Sequence, residues 1–175
     1  MSGGGHGNGA ADVRLRRPME TDYPGIATSV DDWWDGKVLQ GLLPRLWFRH
    51  FADMSWIAEV DDERSRVRVV GFLVGYISPA DRMLGVIQAV GVDPSHRRSD
   101  IGRTLVMAFI GQAQSMGATA VEALLWPGNR RGLSFLAALG FEPEVGAGTQ
   151  QIYGVPATEG YDFGTEDRAI FRLRI

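Results

Sequence analysis

Residues 90–106, VGVDPSHRRSDIGRTLV, join an apolar run typical of a β-strand to a segment with helical spacing. The strand candidate covers residues 83–93, and from Gly102 to Met116 apolar residues recur at helical intervals. At such a junction the first N–H groups of the helix are unpaired, and the helix dipole attracts anions. Positive charge comes from three arginines: Arg97, Arg98 and Arg103. The pattern therefore indicates either a phosphate-binding turn or a solvated turn that Asp100 caps.

The rest of the chain alternates between strand and helix patterns. Six further stretches predict strands: residues 13–16, 55–60, 67–79, 118–126, 149–155 and 167–175. Helices are predicted after a cap at Thr21 or Asp22, on both sides of Pro44, from Gly102 to Met116 and from Asn129 to Leu139. Residues 153–168 read largely as a turn-rich loop. The order predicts an α/β fold, with a mixed central sheet of six to seven strands flanked on both faces by about four helices.

Composition indicates one globular domain. A chain of 175 residues suffices for one core and is short for two. Residues 1–11 are rich in glycine and predict a flexible tail, followed by one domain over residues 12–175. There is no apolar run long enough to cross a bilayer, no cysteine and no apolar core of a secretory signal near residue 1. We expect a cytoplasmic protein with no membrane partner.

The charge pattern argues against a nucleic-acid partner. The formal net charge is −3, and the 18 basic residues, of which only Lys37 is a lysine, are outnumbered by 21 acidic ones. The arginines are scattered along the chain and form no continuous basic stretch, which is the usual electrostatic feature of a nucleic-acid-binding surface.

Two other segments of the sequence help to interpret this strand–helix junction. Residues 126–141, WPGNRRGLSFLAALGF, place an asparagine after a strand and then a helix that ends in Gly-Phe, and residues 13–27 combine a short strand with a helix start. Together with residues 90–106, these segments resemble the GCN5-related N-acetyltransferase (GNAT) superfamily in order and spacing. The resemblance extends from about residue 12 to the C-terminus and implies the GNAT fold.

The resemblance implies acetyl-CoA as acyl donor and no metal. In the family motif Q/R-x-x-G-x-G/A, Arg97 takes the first position, Asp100 the first glycine and Gly102 the second, while Asn129, Gly140 and Phe141 match the later motif. The pantetheine arm of the family's cofactor lies between the fourth and fifth strands. The implied cofactor-binding residues are Val90, Gly91 and Val92 for the arm, Arg97, Arg98, Ser99, Asp100, Ile101, Gly102 and Arg103 for the pyrophosphate, and Asn129 for the remainder.

Asp100 departs from the glycine that the family favours. Aspartate tolerates left-handed backbone geometry better than most residues, so the turn itself is feasible. The carboxylate is expected to repel phosphate, to pair with a nearby arginine or to cap the helix that starts at Ile101. A cost on the order of 1 kcal/mol weakens cofactor affinity several-fold without abolishing it.

The family's usual catalytic side chains are missing. Transfer to an amine needs a neutral amine, a polarised thioester and often a proton for the leaving thiolate. By resemblance, the usual glutamate of the fourth strand is Gln88, which could hold a water, and the usual tyrosine of the last helix is Leu136. Replacement groups could come from residues 153–168, with three candidates: Tyr153, Tyr161 and Asp162. The alternative is that these are surface turn residues, and His50 is expected to be an ordinary helix residue.

The acceptor side of the family is built by the first helices. Trp33 and Trp34 are adjacent, so their side chains diverge by about 100° on a helix and only one easily joins the core. The other is a candidate wall of a substrate cleft, with Asp31, Asp32 or Asp35 attracting a cationic amine. Burial of both indoles between helices is the alternative.

These features predict an acetyl-CoA-dependent N-acetyltransferase that acts by direct transfer to a primary amine of a small molecule or a peptide. The substitutions at Gln88 and Leu136 leave open a non-catalytic acyl-CoA-binding or sensing domain, and an interaction protein without cofactor is a third reading. A homodimer is plausible by resemblance. The acceptor is not identified, because acceptor loops vary on a shared fold.

Overall fold

The computed structural model describes residues 13–34, 43–62 and 64–175. Four α-helices lie in these ranges: α1 (Tyr23–Trp33), α2 (Leu46–His50), α3 (Ile101–Ser115) and α4 (Arg130–Ala138). The same ranges hold nine strands: β1 (Arg14–Arg16), β2 (Trp56–Asp61), β3 (Val67–Ile77), β4 (Leu84–Val92), β5 (Ala120–Leu125), β6 (Glu142–Pro143), β7 (Thr149–Ile152), β8 (Val155–Asp162) and β9 (Glu166–Arg174). The tail predicted for residues 1–11 lies outside the described residues.

The nine described strands form one mixed sheet. Their order is β1-β2-β3-β4-β5-β9-β8-β7, with β6 paired to β9. β4 and β5 run parallel, since α3 connects them and returns the chain across the sheet. The other described pairs are antiparallel. The predicted mixed α/β architecture is therefore confirmed.

Helices cover both faces of this sheet. α3 and α4 bury Leu105, Phe109 and Leu136 against one face. α1 and α2 bury Val30 and Phe48 against the other. Apolar residues of the sheet are thereby removed from water on both sides, which stabilises the fold by roughly 25 cal/mol per Å² of apolar surface buried.

β3 is a strand covered on both faces. Phe72 and Val74 pack toward α1 and α2, whereas Leu73 belongs to the core beneath α3. Gly75 lies directly against α3, because a Cβ added there would come within 2.5 Å of the Phe109 ring. This double coverage explains why residues 69–77 form an apolar run without polar alternation.

The C-terminal part contains more strand than the sequence predicted. Most of residues 153–168 were expected to be loop, but β8 occupies Val155–Asp162 and pairs with both β7 and β9. Gly160 has a φ of +59° and lies where the β8–β9 register shifts. A bulge and a proline at residue 156 hide the two-residue alternation by which a strand is recognised. With the two-residue β6 added, nine described strands replace the predicted six to seven.

The helices near the N-terminus lie where the sequence predicts them, but the predicted side-chain cap of α1 is not formed. Pro24 lies in the first turn of α1. The Asp22 carboxylate does not cap α1 but accepts two hydrogen bonds of 2.8 Å from Arg16. Burial acts to raise the pKa of Asp22, but the hydrogen bonds from Arg16 and from the Met19 N–H, together with the charge of Arg16, outweigh it and hold that pKa below its ordinary value. Of the two helical pieces predicted around Pro44, the second is α2, and residues 37–42 lie outside the described residues.

α4 ends in a Schellman motif. Gly140 has a φ of +89° and donates its N–H to Ala137, and Phe141 donates to Leu136 over 3.1 Å. The Phe141 side chain is buried at 2% exposure. The Gly-Phe pair thus closes the helix and anchors its end in the core.

Within the described residues, no helix is both long enough and apolar enough to cross a membrane.

Replacing Gly140 by alanine is expected to lower the free energy of unfolding by about 1 kcal/mol, because a side chain disfavours its left-handed backbone. Space is not limiting, since the nearest atom to an added Cβ belongs to Leu173 at 3.6 Å. Gly111 is the matched control: it lies within α3 and an added Cβ meets nothing within 4 Å. Gly111→Ala is expected to stabilise by roughly 0.5–1 kcal/mol. Urea unfolding measures both variants, and equal effects would contradict the backbone explanation.

Candidate active site

A gap opens in the sheet between β4 and β5. Their parallel ladder contains four residue pairs and ends at Ile87 and Ala123, although both strands continue. One extra residue, Gln88, lies in β4 opposite the step from Val74 to Gly75 in β3. Such a bulge bends a strand and increases its twist. Within the described residues, the end of β4 is therefore paired on the β3 side alone.

Backbone groups of Val90 and Val92 point into this gap. Asp93 donates its N–H to the carbonyl of Val70 over 2.9 Å, which fixes the phase of the β3–β4 ladder. Because hydrogen-bonded pairs alternate in an antiparallel ladder, Gly91 bonds to β3 and the residues on either side of it face away. An extended molecule carrying amide groups could pair with this edge of β4 as a strand would.

A tight loop leads from the end of β4 to α3. The Asp93 carboxylate accepts hydrogen bonds from the N–H (2.8 Å) and hydroxyl (2.6 Å) of Ser95. Burial acts to raise the pKa of Asp93, but the Ser95 bonds together with the charges of His96 and Arg68 outweigh it, so that pKa lies below its ordinary value. Further along, Arg98 and Asp100 have left-handed φ angles of 67° and 57°. These turns bring the N-terminus of α3 to the same end of the sheet as the gap.

Asp100 flanks the first turn of α3 without capping it through its side chain. Its backbone carbonyl accepts the N–H of Thr104 over 2.8 Å. Three exposed side chains flank the same turn: Arg98, Ser99 and Arg103. Arg97 instead extends toward α1, where its Nη2 donates to the carbonyl of Trp33. The turn thus combines exposed positive charge, a helix N-terminus and one carboxylate.

Three of the predicted cofactor-binding residues have structural roles in helix packing or helix capping. Ile101 is buried at 2% exposure. Gly102 lies against α4, where an added Cβ would come within 3.2 Å of the Phe135 ring. The side-chain oxygen of Asn129 accepts the N–H of Gly132 over 3.0 Å and caps α4. Gly102 and Asn129 therefore have structural reasons to be present beside any contact with a cofactor.

Gln88 and Leu136, which occupy the positions where the family usually carries catalytic side chains, differ in their surroundings. Gln88 is half-buried at the bulge beside the gap. Leu136 is buried at 2% exposure in the core beneath α4, so it packs and supplies no proton.

The replacement candidates lie on the C-terminal hairpins. Tyr153 is exposed in the turn between β7 and β8, with its ring 5.7 Å from that of Trp126. Tyr161 is half-exposed near the end of β8. Asp162 forms an ion pair of 2.8 Å with Arg168. The Asp162 carboxylate therefore holds the β8–β9 hairpin together.

Two polar residues that the sequence did not single out lie on the face covered by α1 and α2. Tyr76 of β3 and Glu122 of β5 flank Val86 of β4 in the sheet register. Burial, the charge of Glu122 and Tyr161 raise the pKa of Tyr76. The alternation of side chains along a strand predicts which face of its own strand each residue occupies. It does not predict that Tyr76 and Glu122 lie near each other, because that depends on how β3, β4 and β5 pair in the sheet.

Glu122 is held by an ion pair across the sheet. Its carboxylate lies 2.8 Å from Arg172 of β9 and its side chain is 15% exposed. Arg172 also contacts Glu144 at 3.1 Å.

The two tryptophans at the end of α1 have different environments. Trp33 is buried at 8% exposure and stacks on Phe72 with ring centroids 6.1 Å apart. Trp34 is half-buried, and its indole Nε1 donates to the carbonyl of Val90 over 3.1 Å. Trp33 therefore belongs to the core, whereas Trp34 lies at the gap.

The charged candidates of this region are distributed around α1 and α2. Asp31 is half-buried and Asp32 exposed in the last turn of α1, and His50 is exposed at the end of α2. Asp35 lies outside the described residues.

Comparisons with known proteins agree with this geometry. The model of the acetyltransferase (GNAT) family matches residues 20–141, which is more than two thirds of the chain. An L-2,4-diaminobutyric acid acetyltransferase of Nocardia farcinica is 31% identical over 94 residues, 54% of this chain and 46% of the relative. The matched segment thus spans about half the length of that curated relative.

Solved structures share the fold over nearly the whole chain. A diaminobutyrate acetyltransferase from Paenibacillus lautus, solved with L-2,4-diaminobutyric acid and coenzyme A, is 22% identical and covers 94% of this chain and 95% of that one, with a TM-score of 0.63. The ribosomal-protein-S18-alanine N-acetyltransferase from Escherichia coli is 15% identical and covers 94% of both chains, with a TM-score of 0.60. The family model, the divided sheet and the loop at α3 lead to one conclusion: the chain belongs to the GNAT family of acetyltransferases.

Proposed function

We propose that the protein transfers an acetyl group from acetyl-CoA to a primary amine of a small molecule, with diamino acids such as L-2,4-diaminobutyrate as the first candidates. One observation carries the proposal: the edge of β4 that lacks a partner in β5 leads through the loop of residues 93–100 to the N-terminus of α3. An amide-containing arm and a diphosphate are joined in the same order in coenzyme A. A cytoplasmic location and a homodimer remain expectations.

The residues of the gap fit the cofactor chemically. Backbone groups of Val90 and Val92 suit the amides of the pantetheine arm. The N–H groups at the start of α3 suit the pyrophosphate, and the exposed Arg98 and Arg103 add charge. The bound cofactor would supply an acetyl thioester.

Catalysis is proposed to rest on positioning and on side chains near the bulge. The Gln88 amide is suited to hold a water beside the gap, through which the amine could lose its proton. Tyr161 is the candidate proton donor for the leaving thiolate, and Asp162 positions it through the ion pair with Arg168. Tyr76 shares this region, and burial, the charge of Glu122 and Tyr161 raise the pKa of its phenol, so the phenol gives up its proton less readily.

The proposed acceptor class has two supports. A sequence relative and a solved structure, each named for diaminobutyrate, are similar to this chain. The acidic side chain of Asp32 suits a cationic amine, with Asp32 and Trp34 as candidate substrate contacts near α1. A peptide amine is the second candidate, since the similar S18-alanine enzyme is named for a protein substrate. A non-catalytic acyl-CoA-binding domain is the alternative that Gln88 and Leu136 favour.

Thiol release in the presence of acetyl-CoA and a panel of amines tests the proposal. The panel includes L-2,4-diaminobutyrate, monoamine amino acids and short peptides with a free N-terminus. We expect release that depends on the amine and is fastest with the diamino acid. Calorimetry with coenzyme A is measured in parallel. Binding without release across the panel would support the non-catalytic alternative, and absence of binding would contradict the cofactor site.

Removing the charge of Asp100 is expected to tighten coenzyme A binding several-fold, on the order of 1 kcal/mol, because a carboxylate repels phosphate at a helix N-terminus. Asp100→Asn and Asp100→Gly both tolerate the φ of 57° and should act alike. Asp81→Asn is the control, since it removes the same charge beyond the opposite end of β4. Calorimetry measures all three variants. Unchanged or weaker binding in both Asp100 variants would contradict the repulsion.

A further inference from the structure

We infer that Trp34 competes with the cofactor arm for the carbonyl of Val90 and so links cofactor binding to the end of α1. The inference rests on the proposed function, because it concerns the same gap. It assigns to Trp34 a role in setting cofactor affinity, in addition to its proposed contact with the acceptor.

The contact itself is specific. The indole Nε1 of Trp34 lies 3.1 Å from the Val90 oxygen, within normal hydrogen-bond distance. Its ring also packs on Phe72, with ring centroids 5.9 Å apart at an angle of 58°. The bond therefore has a fixed donor on a packed side chain.

The hydrogen-bond acceptor, the Val90 carbonyl, is one of the backbone groups that we propose to bind the cofactor arm. In the β3–β4 ladder the Val90 carbonyl faces away from β3, into the gap. A carbonyl has two lone pairs, but the indole nitrogen already lies on the gap side of this oxygen. An amide N–H of the arm that approaches Val90 from the gap therefore competes with the indole for this oxygen.

A second bond ties the same end of α1 to the loop. Arg97 donates to the carbonyl of Trp33, one residue before Trp34, at the C-terminus of α1 where a cation is favoured. Arg97 is also the first residue of the motif that resembles a pyrophosphate-binding loop. The end of α1 is thus tied both to the Val90 carbonyl and to a residue that the resemblance implies for cofactor binding. A cofactor arm that takes the Val90 carbonyl releases the first of these two ties.

Calorimetry with coenzyme A tests the competition. Trp34→Phe keeps an aromatic ring on Phe72 and removes the N–H. Because a net hydrogen bond no longer has to be broken, we expect about two- to tenfold tighter binding than in the wild type. Unchanged or weaker binding in a variant with wild-type thermal stability would overturn the inference.

Trp56→Phe is the matched control. The Trp56 Nε1 is buried and, within the described part of the chain, has no hydrogen-bond partner. The same substitution there removes no bond to β4 and is expected to leave coenzyme A affinity unchanged. Equal tightening in both variants would overturn the assignment to Trp34.

The indole proton of Trp34 gives a second readout in the wild-type protein. Its NMR resonance is expected to move upfield at saturating coenzyme A, because the bond to Val90 is lost. An unmoved resonance in the saturated complex would overturn the inference while leaving the proposed function intact. Absence of coenzyme A binding in the wild type would instead defeat the proposed function, and the inference with it.

Discussion

The extra residue Gln88 in β4 determines where the sheet stops being continuous. Up to Ile87, β4 is paired on both sides, and beyond the bulge, within the described residues, it is paired to β3 alone. Without the bend, the β4–β5 ladder could continue to the end of β5 at Leu125, which lies opposite Ala89 in the same register. The gap and the orientation of Val90 therefore depend on this bulge together with the end of β5.

Packing on both faces keeps the divided sheet in place. α3 approaches α4 closely because Gly102 carries no side chain against Phe135. On the opposite face, Trp33 and Phe72 stack beneath the end of α1. Backbone groups left unpaired inside a protein are costly, and the bond from Trp34 satisfies one of them, the Val90 carbonyl. The proposed cofactor site therefore consists mainly of backbone groups of β4 and the α3 loop, and charged side chains contribute less to it.

The sequence predicted the elements whose signals are local. The turn before α3 follows from a strand, a loop of special backbone and a helix, and the left-handed φ of Asp100 agrees with the expected tolerance of aspartate. The end of α4 followed from Gly140 and Phe141, which close a helix by a well-defined pattern. These features depend on residues within about five positions of one another, which a sequence displays directly.

The remaining features depend on residues distant in the chain. Trp34 and Val90 are separated by 56 positions, and their bond requires α1 to lie on the correct face of β4. Tyr76 and Glu122 meet only because β3, β4 and β5 pair in one register. The bulge at Gln88 leaves no clear mark, since apolar residues continue on both sides of it. β8 was missed for a related reason, since the alternation of Val155 and Ala157 is not continued past the bulge between Thr158 and Asp162.

Amide hydrogen exchange in β4, with and without acetyl-CoA, tests most directly the claim that this strand's edge holds the cofactor. The N–H groups of Ala89 and Gly91 face β3, whereas those of Val90 and Val92 face the gap. The alternation predicts slow exchange at Ala89 and Gly91 in both states, and exchange at Val90 and Val92 that slows when acetyl-CoA is bound. Unchanged exchange at Val90 and Val92 in a protein saturated with acetyl-CoA would contradict the claim.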